Sequence, residues 1–336
     1  MRPPLILALE TSCDETAVSI VDGDGEVLAG EISSQIALHR PFGGVVPEVA
    51  SRNHIVAVRP LIESAMENAG VDLARVDAFA ATTGPGLASS LLIGTTLAKA
   101  LALAGGKPYI AVNHLEGHLL SPFMGTAEGI RPCVALVVSG GHTLLAEVRG
   151  FADYEVLGRT RDDAAGEAFD KVGKMLGLPY PGGPEIDKLA RRGDPQAHNL
   201  PRGMLKGDPF SFSFSGLKTA VRYLLPKLES RDERTIADVA ASFQQAVVDV
   251  LVHKTLAAAK TSGHRVIAVS GGVSCNTGLR AAFADACRTE GIELLMARPE
   301  WTTDNAAMIG HVAVHRFQAG AFSDLTTDVN PNLGLG

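Results

Sequence analysis

Short apolar runs separated by polar or glycine-rich turns open the chain. Residues 5–9 form an apolar run, the polar segment 10–15 follows, and a second apolar run covers 16–22. The turn Asp22-Gly23-Asp24-Gly25 then leads into a third run over 26–32. This pattern predicts three short strands joined by tight turns, the last two of them as a hairpin.

The same pattern returns near the middle of the chain. An apolar run over 133–138 is followed by the turn Ser139-Gly140-Gly141-His142 and by a return strand over 143–148. A third run over 266–269 leads through Ser270-Gly271-Gly272-Val273 into a helix that begins near Asn276. Two strand–turn–strand patterns, one in each half, predict an internal duplication.

Helical periodicity fills the intervals between these runs. It predicts helices over 52–69, 87–104, 166–176 and 236–262, the last ended by Gly263. Strands and helices in this alternation indicate layered α/β units.

One long interval, residues 189–209, shows no periodicity. It carries a set of basic residues, which are Arg191, Arg192, His198, Arg202 and Lys206. It is either a solvent-exposed loop or a local patch that contacts phosphate groups.

Composition narrows the class of protein. The chain has 336 residues, 46% of them hydrophobic, which suffices for about two globular domains. The net charge of −7 argues against a surface that binds nucleic acid by bulk charge alone, although it leaves room for a basic patch. The four cysteines form no C-x-x-C pair, which disfavours a disulfide scaffold or a zinc ribbon and is typical of a reducing cytosol.

No targeting segment is recognisable, and we expect a cytoplasmic protein without a membrane span. The N-terminus lacks the long apolar region of a signal peptide. The apolar stretch 87–104 is interrupted by Lys99, which favours a buried core helix over a membrane span.

Two histidines have the spacing of metal ligands. His114 and His118 form an H-x-x-x-H motif, so on a helix both imidazoles lie on one face. Glu116 lies about 200° round that helix from His114, so the motif lacks the glutamate of a zinc protease. A third ligand is required, and Asp304 is the best candidate. Asp304 begins an apolar helix, however, and is equally suited to cap it, as are Thr302 and Thr303.

Glycine turns offer a second kind of site. Ser139-Gly140-Gly141 and Ser270-Gly271-Gly272 each follow a predicted strand, and 82–86 (Thr-Thr-Gly-Pro-Gly) precedes a helix. Backbone amides in such turns can approach a phosphate closely. None matches a P-loop or a G-x-G-x-x-G motif, which disfavours Walker-type and Rossmann-type nucleotide binding.

Carboxylates cluster in one further region. Residues 162–170 contain several acids beside a predicted helix start, and a Pro-Gly-Gly-Pro turn over 181–184 follows. Carboxylates there can bind ribose hydroxyls, and the turn can form a wall against a base, or both are ordinary surface features. Cys13 and Cys275 lie in turns, but nothing in the sequence requires either as a nucleophile.

Taken together, these motifs resemble those of one protein family. The chain closely resembles the bacterial tRNA N6-adenosine threonylcarbamoyltransferases, the TsaD family, formerly labelled O-sialoglycoprotein endopeptidases. The motifs that carry the resemblance stand in the family's order, and they are residues 10–16, 43–48, 113–118, 138–143, 162–170, 180–184, 212–218, 270–276 and 303–306.

The resemblance implies an α/β fold of the actin, sugar kinase and Hsp70 type, with two duplicated lobes around a nucleotide cleft. We expect an N-terminal lobe over 1–130, with a helix in 303–322 packing back on it, and a C-terminal lobe over 131–302. The implied reaction moves the threonylcarbamoyl group of threonylcarbamoyl-AMP to N6 of adenosine 37, in tRNAs that read codons starting with A, and releases AMP.

The resemblance also implies ligands, partners and site residues. His114, His118 and Asp304 match the metal ligands, with Fe(II) expected and Zn(II) as the alternative. An ATP- or AMP-type nucleotide is the second ligand, and the partners are tRNA, the paralogue TsaB and the ATPase TsaE. The substrate-binding positions match Val137, Val138, Ser139, Gly140, Gly141, Asp170, Gly183, Asp187 and Asn276.

The group that accepts the amine proton is open at this point, with Glu10 and Asp14 as candidates. Three other functions compete with the transferase. They are a metallopeptidase, an ATP-dependent small-molecule kinase of the same fold and a non-catalytic scaffold.

Overall fold

The computed structural model describes residues 2–205 and 207–335, which form two compact units. The first unit comprises Met1–Ile130 and Thr303–Leu335, and the second comprises Arg131–Thr302. Each contains one five-stranded mixed sheet with helices packed against it. Lys206 of the basic interval lies outside the described residues.

The described residues of the first unit form five strands and five α-helices. The strands are β1 (Leu5–Glu10), β2 (Glu15–Asp22), β3 (Val27–Ser34), β4 (Ala78–Gly84) and β5 (Tyr109–Asn113). The helices are α1 (Ile36–His39), α2 (Pro47–Ala69), α3 (Ala88–Gly105), α4 (His114–Leu120) and α10 (Ala306–Gln318).

The described residues of the second unit also form five strands and five α-helices. Its strands are β6 (Cys133–Val138), β7 (Thr143–Gly150), β8 (Asp153–Arg159), β9 (Val266–Ser270) and β10 (Glu293–Met296). Its helices are α5 (Ala165–Met175), α6 (Gly182–Ala190), α7 (Ser215–Leu224), α8 (Glu233–Ser262) and α9 (Thr277–Glu290).

Strand order confirms the predicted duplication. The first sheet runs β3-β2-β1-β4-β5 and the second runs β8-β7-β6-β9-β10 when read in the same direction. In both, the first two neighbour pairs are antiparallel and the last two are parallel. The third apolar run of the sequence, now β9, therefore corresponds to β4, and each of these strands leads into a helix.

The central strands explain the uninterrupted apolar runs. Every residue of β1 and β6 is buried, because both faces of each sheet are covered. In the first unit α10 supplies part of that cover, packing on β1 and β2 with all residues from Ala306 to Val314 buried. In the second, α8 crosses the core with Phe243 and Val247 fully buried.

Within the described residues, two helices are long and apolar enough to cross a membrane by length and composition. They are α8, two-thirds of whose apolar window is buried within the protein, and α3, with one-third buried. Such weak evidence also fits the core helices of soluble proteins. The prediction of a buried core helix over 87–104 holds for only one face of α3, because the opposite face leaves Leu92 and Leu103 exposed.

The structure differs from three sequence expectations. The Pro-Gly-Gly-Pro turn is instead the start of α6, since Pro184 lies in a first turn that does not need its missing N–H. Similarly, α2 begins at Pro47 rather than at residue 52. The turn over 82–86 does not offer the amide of Gly86, because Gly86 N donates to the carbonyl of Pro331, and the next amide, Leu87 N, donates to the carbonyl of Ser12.

The basic interval between α6 and α7 is largely neutralised. Arg191 pairs with Asp187 at 2.9 Å, and the guanidinium groups of Arg192 and Arg202 pair with Glu233 and Asp249. The described part of this interval therefore favours a solvent-exposed loop rather than a patch reserved for phosphate.

Candidate active site and metal centre

The two motif histidines lie at the start of α4, directly after β5. Asn113 caps this helix, since its Oδ1 accepts hydrogen bonds from the amides of Leu115 and Glu116. His114 and His118 are both buried, on one face, with ring centroids 4.7 Å apart. The predicted helical arrangement of the pair is confirmed.

Asp304 reaches this pair from the segment that precedes α10. Its Oδ1 lies 3.0 Å from His118 Nε2 and 3.5 Å from His114 Nε2. One ligand atom from each of the three residues lies within 4.8 Å of the others. The residues predicted as metal ligands are therefore together in the folded chain.

Asp304 is not the cap of α10, although the sequence left that role open. Asn305 is the cap, because its Oδ1 accepts the amide of Met308 at 2.9 Å. The carboxylate one residue earlier is thereby available to the histidines. Thr302 and Thr303 do not cap the helix either.

Glu10, at the end of β1, fixes the orientation of His114. Its Oε2 accepts hydrogen bonds from His114 Nδ1 at 3.0 Å and from Thr82 Oγ1 at 2.6 Å, and its Oε1 accepts the amide of Ser12. The side chain is fully buried. Because both oxygens are engaged, this geometry favours a positioning role for Glu10 over a role as general base.

The electrostatics of the cluster favour a positive charge. Burial opposes protonation of His114, but Asp304 and Glu10 outweigh it and raise its pKa to about 9. Burial also opposes the charge of Glu10, but His114 lowers the pKa of that carboxyl. A buried imidazole between two carboxylates can exchange its proton for a metal cation, so the donor set fits a divalent ion.

The other groups of the β1–β2 turn differ in their readiness to accept a proton. Burial, then Asp14, raises the pKa of Glu15 to about 9, so Glu15 holds its proton at neutral pH. Burial and Asp14 also raise the pKa of the Cys13 thiol well above its usual range, which makes a thiolate nucleophile unfavourable. Neither Glu15 nor Cys13 is therefore suited to accept a proton at neutral pH.

The second unit brings the predicted nucleotide-binding residues to one edge of its sheet. Val137 and Val138 end β6, and Ser139, Gly140 and Gly141 form the turn to β7. A Cβ built on either glycine of this turn meets nothing within 4 Å. The backbone of the turn is therefore open to an approaching group.

Other glycines allow backbone segments to meet at that edge. A Cβ on Gly166, in the first turn of α5, would lie 2.5 Å from the carbonyl oxygen of Ser139. A Cβ on Gly271, just after β9, would lie 2.4 Å from that of Val138, and Gly271 has a φ of +88°. Both positions require glycine for close approach.

The polar residues predicted to contact substrate also hold this edge together. Asp170 accepts the amide of Gly182 at 2.7 Å, which ties α5 to α6 next to Gly183. Asp187 accepts the hydroxyl of Thr277 at 2.9 Å, which ties α6 to α9. Asn276 caps α9 through the amide of Leu279 and donates to Gln244.

Comparisons with known proteins identify the family. The TsaD family, described as tRNA N6-adenosine threonylcarbamoyltransferase, matches residues 26–311. The chain belongs to this family. A relative of the same name from Clostridium beijerinckii is 49% identical over 337 residues, covering 100% of this chain and 99% of the relative. One from Anaeromyxobacter sp. is 51% identical, covering 96% and 98%.

Solved structures show the fold of this TsaD family member. Full-length HypF in a phosphate- and nucleotide-bound form matches with a TM-score of 0.65 and 14% identity, over 96% of this chain and 57% of HypF. Component A of the (R)-2-hydroxyglutaryl-CoA dehydratase of Acidaminococcus fermentans matches with a TM-score of 0.56 and 14% identity, over 95% and 99%. The predicted actin-like ATPase fold is confirmed.

The structure does not favour the older peptidase reading of the TsaD motif. Glu116 is buried, and its Oε2 accepts a hydrogen bond from the guanidinium of Arg316 at 2.5 Å. It is therefore held by α10 rather than over the metal-ligand face, as the helical geometry predicts. Sequence reasoning missed Thr82 and Ser12 as supports of the site, because their role depends on contacts far apart in the chain.

Proposed function

We propose that this TsaD family member transfers the threonylcarbamoyl group of threonylcarbamoyl-AMP to N6 of adenosine 37 in tRNAs that read A-starting codons. The observation that carries the proposal is the convergence of His114, His118 and Asp304 in a chain of this transferase family. In the reaction the N6 nitrogen attacks the carbamoyl carbonyl carbon. A C–N bond forms, the C–O bond to phosphate breaks, and AMP leaves.

His114, His118 and Asp304 are the proposed metal ligands, with Fe(II) as the metal and Zn(II) as the alternative. Two imidazoles and one carboxylate suit either ion and leave positions open. When bound, the ion acts as a Lewis acid toward the transferred carbonyl or the leaving phosphate. Glu10 accepts a hydrogen bond from the Nδ1–H of His114 and so keeps the Nε2 lone pair directed at the ligand cluster.

The edge of the second sheet is the proposed nucleotide site. Backbone amides of Gly140 and Gly141 are suited to the leaving phosphate, since their turn is open. Asp170, Asp187 and Asn276 shape this edge, and they are the proposed contacts of the ribose hydroxyls.

Asp14 is the proposed acceptor of the proton that the adenine amine loses. Glu10 is engaged on both oxygens, and Glu15 already holds a proton at neutral pH. An amine becomes a better nucleophile as its proton passes to a positioned carboxylate. Asp14→Asn should therefore lower the rate of transfer while leaving metal affinity unchanged.

The proposed partners are tRNA, TsaB and TsaE, in the cytoplasm. With a net charge of −7 and the described arginines of 191–202 already paired, this chain offers little bulk attraction to tRNA. Shared basic surface with a partner resolves that difficulty. Exposed apolar side chains on α2, Ile55 and Val56, are consistent with a partner subunit.

The test is reconstitution with threonylcarbamoyl-AMP and unmodified tRNA, with and without TsaB and TsaE. Digested tRNA is then analysed by mass spectrometry for threonylcarbamoyladenosine. We expect the modified nucleoside with the wild-type chain and a loss of at least about 100-fold with His114→Ala or Asp304→Asn. His253→Ala, at an exposed histidine of α8, is the matched control. Absence of product with wild-type protein under every condition would refute the proposal.

A further inference from the structure

Residues 323–335, which follow α10, form a strap across the first unit. Ser323 N donates to the carbonyl of Tyr109 at 2.9 Å, and Ser323 Oγ accepts the amide of Ala111. The strap then reaches the turn between β4 and α3, where Asn330 N donates to the carbonyl of Thr83 at 2.8 Å. It ends with Leu335, which is buried. We call residues 323–335 the C-terminal strap.

The turn beneath the strap is shaped to receive it. A Cβ on Gly84 would lie 2.0 Å from the carbonyl oxygen of Asn330 and 2.9 Å from Cβ of Leu333, so only glycine permits this approach. Gly86 N donates to the carbonyl of Pro331 at 3.1 Å. The amide that the sequence offered to a phosphate is thus satisfied by the strap.

One route leads from the strap to the metal centre through Asn113. The Nδ2 of Asn113 donates to the carbonyl of Gly334 at 2.6 Å, while its Oδ1 caps α4. Both ends of one planar amide are therefore used, so the strap fixes the rotamer that caps the helix beginning at His114. Holding a ligand-bearing helix by its cap limits fraying of its first turn.

A second route passes through Ser12. Gly86 packs against Ser12, since a Cβ on the glycine would lie 2.5 Å from the carbonyl oxygen of Ser12. That oxygen accepts the amide of Leu87 at 2.8 Å, and the Ser12 hydroxyl lies 3.2 Å from His114 Nδ1. Strap, turn and Ser12 thus approach His114 from the side opposite its Nε2.

We propose that the C-terminal strap is a positioning element for the metal centre, with Asn113 as the residue that couples them. This inference rests on the proposed metal role of His114, His118 and Asp304. Release of the strap loosens the first turn of α4 and lowers the affinity of the site for the metal, although none of residues 323–335 is a proposed ligand.

Asn113→Asp separates the two functions of the residue. A carboxylate keeps the acceptor that caps α4 and loses the donor to Gly334. Its negative charge also favours a cation, so a lower metal affinity cannot be attributed to charge. Asn332→Asp is the matched control, because it adds the same charge to the strap at an exposed side chain. Leu335→Asp releases the strap from its other end.

Three measurements on the full-length variants test the proposal. Hydrogen exchange followed by mass spectrometry reports on residues 323–335 and on α4. Competition with a chromophoric chelator gives the affinity for Zn(II), and the visible spectrum of the Co(II) form reports on ligand geometry. For Asn113→Asp and Leu335→Asp we expect faster exchange in both segments, a loss of affinity of about 10-fold and an altered Co(II) spectrum. Asn332→Asp should behave as wild type.

The outcomes separate this proposal from the metal role itself. Faster exchange of the strap with unchanged Zn(II) affinity and an unchanged α4 would overturn the coupling. Unchanged exchange of the strap in Asn113→Asp would overturn the role of Asn113. If the wild-type chain binds no metal, the proposed metal centre fails. In that case the rate of hydrogen exchange in α4, compared between Asn113→Asp and wild type, decides whether the strap positions that helix.

Discussion

His311 of α10 is a buried histidine whose ring nitrogens make no hydrogen bond with the described residues. His311 is 8% exposed, and neither its Nδ1 nor its Nε2 has a hydrogen-bond partner among the described residues. The ring packs edge-on against His315, with centroids 4.9 Å apart. Burial, then the neighbouring His315, lowers the pKa of His311 to about 3.

Because the pKa of His311 is lower in the folded chain than in the unfolded chain, the free energy of unfolding depends on pH. An unfolded histidine titrates near pH 6.5, so between about pH 6.5 and 3 the unfolded chain binds a proton that folded His311 does not. The free energy of unfolding therefore falls as pH falls, by about 1.4 kcal/mol per pH unit within this window. At pH 5 the contribution of His311 is a loss of about 2 kcal/mol.

His311→Leu removes the titrating group and leaves no hydrogen bond unmade. At pH 7.5 we expect its stability to lie within about 1 kcal/mol of wild type, since no partner is lost. At pH 5 the variant should retain about 2 kcal/mol more of its stability than wild type retains. Urea unfolding followed by circular dichroism at pH 7.5, 6 and 5, with a chelator present, measures the difference.

Comparison with a second variant isolates the burial effect. His253→Leu removes an exposed histidine from α8 and should show the pH dependence of wild type. A difference between wild type and His311→Leu that is the same at all three pH values would refute the reasoning.

Three further predictions concern packing, ion pairing and metal. Phe243 lies in the core of the second unit, with its ring centroid 5.2 Å from that of Phe169, and Phe243→Ala should lower the free energy of unfolding by about 3–5 kcal/mol. Tyr223→Ala, which removes an exposed ring, should lower it little. Arg316→Met removes the arginine partner of buried Glu116 and should lower the free energy of unfolding in denaturant titrations by about 3–5 kcal/mol. The double variant Arg316→Met/Glu116→Gln should lose less, and an equal loss in the single and the double variant would contradict a buried charge on Glu116. When the free metal concentration is 100 times Kd, removal of the metal with a chelator should lower the free energy of unfolding by about 2.7 kcal/mol. An unchanged unfolding midpoint would argue against metal binding.

The sequence predicts the duplication and the histidine pair because both depend on local patterns. Apolar runs, turns and an i,i+4 spacing are properties of neighbouring residues, and the folded chain retains them in β1–β3, in β6–β7 and in α4. The family motifs extend this prediction to Asp304, which no local pattern links to His118.

Long-range contacts are what the sequence does not predict. Asn305 rather than Asp304 caps α10, and the choice depends on which oxygen meets the amide of Met308. The turn over 82–86 has the composition of an anion site, but the C-terminal strap takes its amide. The basic interval has the composition of a phosphate patch, but carboxylates as distant as Asp249 neutralise it.

The return of the chain to its first unit has a consequence for synthesis. Asp304 lies 186 residues beyond His118, and the whole second unit lies between them in the sequence. A nascent chain therefore carries both histidines long before it carries the carboxylate, α10 or the C-terminal strap. A product that stops before residue 303 lacks both the carboxylate of the His114, His118 and Asp304 cluster and the α10 cover of β1.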